Sequence, residues 1–446
     1  MKRRQFLAQT STLVGGIALA NGLPMSRIFG ATKTIAPSDK IRIGVIGCKG
    51  MGNSNMVSMM KNKEVQVVGL CDVDDSVLDM RKQEVEKATN KKVPTYKDYR
   101  KMLDDKDIDA VIIGTPDHWH ALPLIQACQA GKDVYCEKPL GRSIEECNVM
   151  LAAARKYERV VQVGQWQRSH QHWNDAIDFV HSGQLGQMRL VKTWAYQGWM
   201  KTLKPKPDSA VPKGVDYDMW IGPATKRAFN ENRFHFNFRW FWDYGGGLMT
   251  DWGVHIIDMA LKGMKAQGPK SVMATGGNYF DKDTAMETPD TLQAIYEFDG
   301  CSMIWEHANG IDLGPYGRDH GVAFIGNNGT LVVDRNGWEI ISEPNRTNYD
   351  KYEGKKMVAK PLIKPTGNGL DLHTRNFLDS MKSRQKPNAD IAIAQNTALN
   401  ASLGNIAFRT NSKILWDTEK QQIIGNDKAQ ELTKANYQNG WILPKI

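Results

Sequence analysis

Asp251 and His255 stand four residues apart, a spacing that on a helix brings both side chains to one face. An imidazole is suited to taking a hydroxyl proton near neutral pH, and a carboxylate beside it raises its basicity and fixes its tautomer. Asp258, three residues further on, is the alternative orienting group. Lys138 is the second candidate. Pro139 pushes its backbone towards an extended conformation, and an ammonium held there would orient or polarise a substrate hydroxyl; the competing reading is a solvated loop lysine. Around the pair, Trp240, Trp242, Tyr244 and Trp252 offer flat apolar faces to a sugar ring, with Trp242 and Tyr244 the candidates for substrate contact, or else they form a packed aromatic core.

A different chemistry is written in Ile41 to Gly52, IRIGVIGCKGMG, where a short apolar run breaks into glycines before a helical pattern. Such a turn lets backbone approach a diphosphate, with the free N–H groups of the helix start facing the anion. Gly47 and Gly52 match the spacing G-x-G-x-x-G, but Lys49 stands at the middle position and the glycine is displaced to Gly50, followed by Met51. A second apolar run ends at Asp72, 25 residues after Gly47, where a carboxylate would accept hydrogen bonds from adenosine ribose hydroxyls. That carboxylate repels a 2′-phosphate and so favours NAD. Lys49 partly offsets it and leaves NADP possible, and Asp72 is also placed to cap the helix starting near Asp75.

The elements that must position these groups are strands alternating with helices. Runs at Val65 to Cys71, Asp109 to Gly114, Asp133 to Cys136 and Val160 to Val163 are separated by helical stretches such as Ala121 to Ala130 and Ile144 to Ala154. This predicts a parallel sheet with its ligand beyond the carboxyl ends of the strands. Thr115, Pro116 and His120 follow one such end, and Glu137 with Lys138 follows the next. After about Gly164 the pattern changes to longer alternating runs from Met188 to Val333, with Asn-Gly turns at Asn328 and Asn336, which read as an antiparallel sheet. The division expected is 37–165 for the nucleotide domain and 166–446 for the second, with helices over 370–407 packing back on the first.

Residues 1–36 read as an export signal and linker. Lys2, Arg3 and Arg4 precede a moderately apolar segment too short and glycine-rich to span a membrane, and Arg3-Arg4 followed by Phe6 and Leu7 resembles a twin-arginine signal, which predicts a periplasmic protein without stable membrane insertion. The net charge of +9 includes +3 from Lys2, Arg3 and Arg4, leaving +6, and the remaining cations are interspersed with acids, which excludes a nucleic-acid stripe. Six cysteines form no C-x-x-C pair and read as buried thiols. His118 with His120, and His170 with His172, lack nearby acidic or cysteine partners, so no metal is expected.

Taken together, Glu137-Lys138-Pro139, the Asp251-x-x-x-His255 helix and Thr115-Pro116 with His120 resemble the Gfo/Idh/MocA oxidoreductase family over essentially the whole chain after the signal. The resemblance implies an α/β architecture: a Rossmann domain followed by an α+β domain with an open-faced, mostly antiparallel sheet, the active site between them, and sheet faces used in a homo-oligomer. It implies that His255 is general base, that Lys138 binds or helps deprotonate the hydroxyl, that Asp251 positions the substrate, and that Glu137, His120 and Arg168 surround the nicotinamide. Hydride transfer from a secondary carbinol of a sugar or glycoside, for example at C3, to tightly bound nicotinamide is the function expected. Two alternatives stay open: a redox-assisted glycosidase like glycoside hydrolase family 109, and a nucleotide-bound sugar sensor without turnover.

Overall fold

The computed structural model describes residues 39–342 and 359–446; the segment read as an export signal, 1–36, lies outside them. Six parallel strands, β1 (Ile41–Ile46), β2 (Val65–Cys71), β3 (Thr95–Tyr96), β4 (Ala110–Ile113), β5 (Asp133–Cys136) and β6 (Val161–Val163), form the first sheet in the order β3-β2-β1-β4-β5-β6. Every residue of β4 and β5 is buried, because helices cover both faces and leave no polar alternation to show. These helices are α1 (Gly50–Met60), α2 (Asp75–Thr89), α3 (Tyr99–Leu103), α4 (Ala121–Gln129) and α5 (Ile144–Lys156). Ser143 and Glu146 close a capping box at the start of α5.

Helix α6 (Gln171–His181) leads into the second sheet, and α7 (Tyr217–Ile221), α8 (Gly247–Asp251) and α9 (Gly253–Met264) follow its first strand. Its strands are β7 (Met188–Gln197), β8 (Ser271–Gly277), β9 (Thr291–Phe298), β10 (Cys301–Asn309), β11 (His320–Gly326), β12 (Gly329–Asp334), β13 (Gly337–Ser342), β14 (Lys360–Ile363), β15 (Ile414–Asp417) and β16 (Gln422–Ile424), in the order β14-β13-β12-β11-β7-β10-β9-β8-β15-β16. All pairings are antiparallel except β7 with β10. The sheet is thus mostly antiparallel, as expected, and the one parallel pair arises because the long excursion after β7 lets the chain re-enter beside it in the same direction. Helices α6 and α9 cover one face, while Leu190, Met273 and Ile295 stand exposed on these strands.

Two late helices tie the sheets together. Helix α10 (Gly369–Ser383) lies on α1, where Ser58 Oγ donates to Asp371 Oδ1 (2.6 Å) and Lys61 pairs with Asp371 (2.7 Å). Its Phe377 and Leu378 are fully buried with Ile43 and Val45 of the first sheet. Helix α11 (Ile391–Thr410) gives Ile391, Ala394 and Ala398 to the nucleotide-side core and Leu399, Leu403 and Ile406 to the core under the second sheet. The last helix is α12 (Asp427–Glu431), and no helix among the described residues is long and apolar enough to cross a membrane. Since Phe377 has no exposed surface and stacks edge-on against Tyr135 at 5.8 Å, Phe377→Ala is expected to cost about 3–5 kcal/mol. Urea unfolding checks this, and a loss under about 1 kcal/mol would show that α10 is not part of the first core.

Candidate active site

A cleft of about 340 Å³ opens where the order of the first sheet reverses between β1 and β4. Its floor is the set of loops leaving β1, β2, β4 and β5, carrying Gly47, Lys49, Gly50, Met51, Asp72, Thr115, Pro116, Asp117, Glu137 and Lys138. The second half of the chain supplies the cover: Met219 and Trp220 of α7, then His235, Phe236, Phe238 and Arg239, then Asp251.

The residues at the β1 end fit a dinucleotide. Gly47 has φ +81°, and a Cβ there would lie 2.6 Å from Thr115 N; one on Gly52 would lie 1.9 Å from Gly47 O. Backbone is therefore packed on backbone at the turn, which only glycine permits. No side chain caps the start of α1, and its first residues Gly50 and Met51 line the cleft, leaving that helix end to an anion. Asp72 accepts from Cys48 N (2.8 Å) and Asp74 N (3.1 Å), while Asp74 itself caps α2 through Ser76 N (2.9 Å). The capping role considered for Asp72 therefore belongs to Asp74, and the Asp72 carboxylate stays on the cleft. Thr115 Oγ1 is buried there with no partner. Lys49 lies close enough to His235 to help depress that imidazole, after burial.

At the β5 end Lys138 crosses to the second half of the chain. Its Nζ donates to Asp251 Oδ1 (2.7 Å) and to the Asp251 carbonyl (3.1 Å), and Arg239 Nη1 donates to the same Oδ1 (3.1 Å). Burial pushes Asp251 up, but Arg239 and Lys138 outweigh it and hold the carboxylate below its ordinary range. Glu137, tied to Asn55 Nδ2 (2.8 Å), is raised by burial against the pull of Lys138.

His255 sits in the first turn of α9, beyond the break at Trp252 that separates it from α8. Burial, then Lys138 and Arg335, hold its imidazole well below 6.5, so the ring is neutral, and its Nδ1 has no partner. This corrects the expected carboxylate–histidine pairing. Asp251 is taken by two cations, and Asp258 is taken by Arg168 Nη2 (2.7 Å) and Thr397 Oγ1 (3.0 Å). Both carboxylates find stronger electrostatic partners than a neutral ring.

Further expected positions fall away from the cleft wall. His120 is buried between the Pro139 carbonyl (2.7 Å from Nδ1) and the Thr115 carbonyl (2.9 Å from Nε2), which ties the β4 and β5 loops together, and burial draws it down to about 4. A neutral ring has one N–H for these two acceptors, which the shorter contact assigns to Pro139. Arg168 faces Asp258 instead of the cofactor cleft. Tyr244 is fully buried, 4.9 Å from the Trp220 ring and 5.1 Å from that of His118, and so belongs to the aromatic core. Trp242 donates to the Glu287 carbonyl (3.0 Å) and lies under Arg409. The other paired histidines also bond carbonyls: His118 that of Trp220, His170 that of Gly367 and His172 that of Asp334.

Two cleft residues went unnoticed in the sequence reading, Arg239 and Asp117. Arg239 hides in an aromatic run whose Phe236 and Phe238 stack on its guanidinium. Asp117 follows Thr115-Pro116 at the strand end, the position that should have signalled it. Burial pushes its carboxyl up to about 8, with Lys138 and Arg239 pulling the other way. The folded value lies above the ordinary 3.8, so the native state holds this proton more tightly, and stability must fall as pH rises from 3.8 to about 8. The slope reaches at most about 1.4 kcal/mol per pH unit. Asp117→Asn is expected to flatten it, seen as a variant whose urea stability gains on the parent between pH 5 and pH 8; a pH-independent difference would contradict the assignment.

Comparison with known proteins follows the same division. Residues 41–165 match the model of the oxidoreductase family, NAD-binding Rossmann fold, and residues 180–443 match that family's C-terminal alpha/beta domain. An uncharacterised oxidoreductase of Rhizobium meliloti is 30% identical over 193 residues, 42% of this chain and 55% of that protein. An alpha-N-acetylgalactosaminidase of Shewanella oneidensis is 30% identical over 172 residues, 35% of this chain and 38% of that enzyme. The matches thus span about half of the first relative and under two fifths of the second. In fold, the chain is similar to levoglucosan dehydrogenase in complex with NADH and levoglucosan, with a TM-score of 0.62 at 19% identity over 84% of this chain and 99% of that one. With the glycine turn and cleft of the first sheet in one matched segment and the Arg239, Asp251 and His255 cover in the other, the chain belongs to the Gfo/Idh/MocA family of NAD-binding oxidoreductases.

Proposed function

We propose that the protein oxidises a secondary hydroxyl of a sugar or glycoside, with C3 the first position to test, against a tightly held NAD. The observation that carries this reading is the buried Lys138–Asp251–Arg239 cluster at the end of the nucleotide cleft, with neutral His255 close behind it. The nicotinamide, when bound, supplies the hydride acceptor. Lys138 presents an ammonium whose direction is set by two oxygens of Asp251, and its remaining N–H orients a substrate hydroxyl. His255, uncharged and with an unpartnered ring nitrogen, takes the hydroxyl proton. Gly47, Gly50, Met51 and Asp72 would hold the diphosphate and ribose.

A protein exported by the twin-arginine route would meet no pool of free dinucleotide, so retention matters. The cover over the cleft supports it: His235 Nε2 lies 2.9 Å from Asp74 Oδ2 beyond β2, and Lys97 Nζ beyond β3 donates to the Gly214 carbonyl (2.8 Å), fastening the His235 segment and the chain leading into α7 to the first sheet. The exposed apolar residues on the open face of the second sheet support a homo-oligomer assembled there. Likeness to the Shewanella alpha-N-acetylgalactosaminidase supports a second reading, glycoside cleavage through transient oxidation, for which the protonated Asp117 would serve as acid to the leaving group.

Mixing NAD-loaded protein with a panel of aryl glycosides, while following reduced nicotinamide and released aglycone together, separates the two. Accumulating reduction without aglycone is the expected result; aglycone over many turnovers without net reduction would establish the glycosidase. Lys138→Ala and His255→Gln should each lower turnover about 10²–10⁴-fold with sugar binding retained. Lost binding in Lys138→Ala, with no turnover by the parent protein, would instead identify a sensor.

A further inference from the structure

Arg335 occupies the turn between β12 and β13, and its guanidinium has no carboxylate or carbonyl partner among the described residues. In this it differs from Arg168, Arg239 and Arg318, each of which is paired with an aspartate. Its Nε is buried without a hydrogen bond. What holds the guanidinium instead is aromatic: its central carbon lies 4.5 Å from the ring centre of Trp166 and 4.5 Å from that of Trp252. Both rings are themselves neighbours of the His255 imidazole, at 6.4 and 6.3 Å. The cation is thus one aromatic side chain away from the proton acceptor, and near enough to Asp251 and His255 to shift both.

The site is built to hold this charge in place. The backbone N–H of Arg335 donates to His320 Nε2 (3.3 Å), whose Nδ1 bonds Asp319 Oδ1 (2.7 Å), so the aspartate that might have neutralised the guanidinium is engaged elsewhere. Asp334, the preceding residue, is held by Arg318 (3.0 Å) and by the N–H of Asn336 (2.8 Å). Trp166 has no freedom to move away either, since Gly369 packs so closely that a Cβ there would come within 2.6 Å of its ring. Burial draws the guanidinium down to about 10 against the pull of Asp251 and Asp319, still a cation at neutral pH. The two indoles occupy stacking positions and leave the edge of the guanidinium, with its parallel N–H donors, as the part still to be satisfied. A planar or tetrahedral oxyanion is the complement of that edge.

We propose that Arg335, clamped by Trp166 and Trp252, is a subsite for an acidic group carried by the substrate, a carboxylate or a sulfate on the sugar. The proposal rests on the reading that Lys138 and His255 act on a sugar. The charge of that acidic group would set which sugars are accepted.

Calorimetric titration of the full NAD-loaded chain with glucuronate, glucose 6-sulfate and glucose tests this, with reduced-nicotinamide absorbance recorded in parallel. At least one acid should bind tenfold or more tightly than glucose; preference for glucuronate identifies a uronic acid, and preference for the sulfate identifies a sulfated sugar. Arg335→Gln should abolish that preference while leaving glucose binding within twofold, and Arg335→Lys, which keeps the charge without the two-pronged edge, should retain part of it. Equal affinity of all three sugars for the parent protein, no binding by either acid, or equal losses for acid and neutral sugar in both variants would overturn the proposal. Should glucose be oxidised with no acid preference, the oxidoreductase reading stands and the subsite falls. Arg335-dependent acid binding with no reduction by any sugar leaves the subsite standing and removes the hydride-transfer reading.

Discussion

The ion pair between Lys138 and Asp251 is the constraint on which the site depends. The two side chains are only 14% and 11% exposed, and taking both charges out of water is costly unless each finds several partners. The Asp251 carboxylate takes one contact from Lys138 and one from Arg239, and Lys138 donates also to the Asp251 carbonyl. Lys138 leaves the end of β5 in the first sheet, and Asp251 ends α8 in the second half of the chain. One carboxylate thereby fixes the seam between the nucleotide cleft and its cover, and a lone substitution on either side would strand a buried charge.

Backbone packing makes that seam possible. Gly47, Gly52 and Gly114 bring the β1 turn, α1 and the end of β4 into direct contact, for a Cβ on Gly114 would lie 2.5 Å from Gly52 Cα. Such contact draws the ends of β1 and β4 together and leaves the cleft open beyond them. Helix α11, buried in both cores, holds the two sheets in one orientation, so the cluster need not supply that stability itself. The charges can then be arranged for chemistry, with apolar burial carrying the fold.

Much of this was legible from residue order. Apolar runs ending in Gly47, Asp72, Thr115 and Glu137 mark strand ends, and strand ends in a parallel sheet converge on one edge, so the cofactor cleft could be read from one dimension. Partnerships were less legible. The four-residue spacing of Asp251 and His255 suggested a pair, yet Arg239 and Lys138 compete for Asp251 from 12 and 113 residues away, distances over which spacing carries no signal. The aromatic residues show the same limit. Tyr244 and Trp242 share the composition of a sugar platform, but whether a ring meets solvent or Trp220 is decided by packing from α7. Asp117 was missed because its unusual proton affinity comes from burial, which residue type alone does not express.

The charge balance that results favours one direction of chemistry. Around the reacting end of the cleft stand Lys138 and Arg239 with the ionised carboxylate of Asp251, while burial raises Asp117 and Glu137 towards their uncharged forms and holds His255 neutral. A hydroxyl losing its proton there develops negative charge in a surplus of positive charge, which stabilises the alkoxide. Burial, then Lys138 and Arg335, depress the His255 imidazole, so the base that receives the proton is a weak one. Lys138 contributes to both effects and lines the cleft directly, whereas His255 lies outside that lining, against Trp252. On the proposed reading the Lys138 ammonium would hold the developing oxyanion and the His255 imidazole would take its proton.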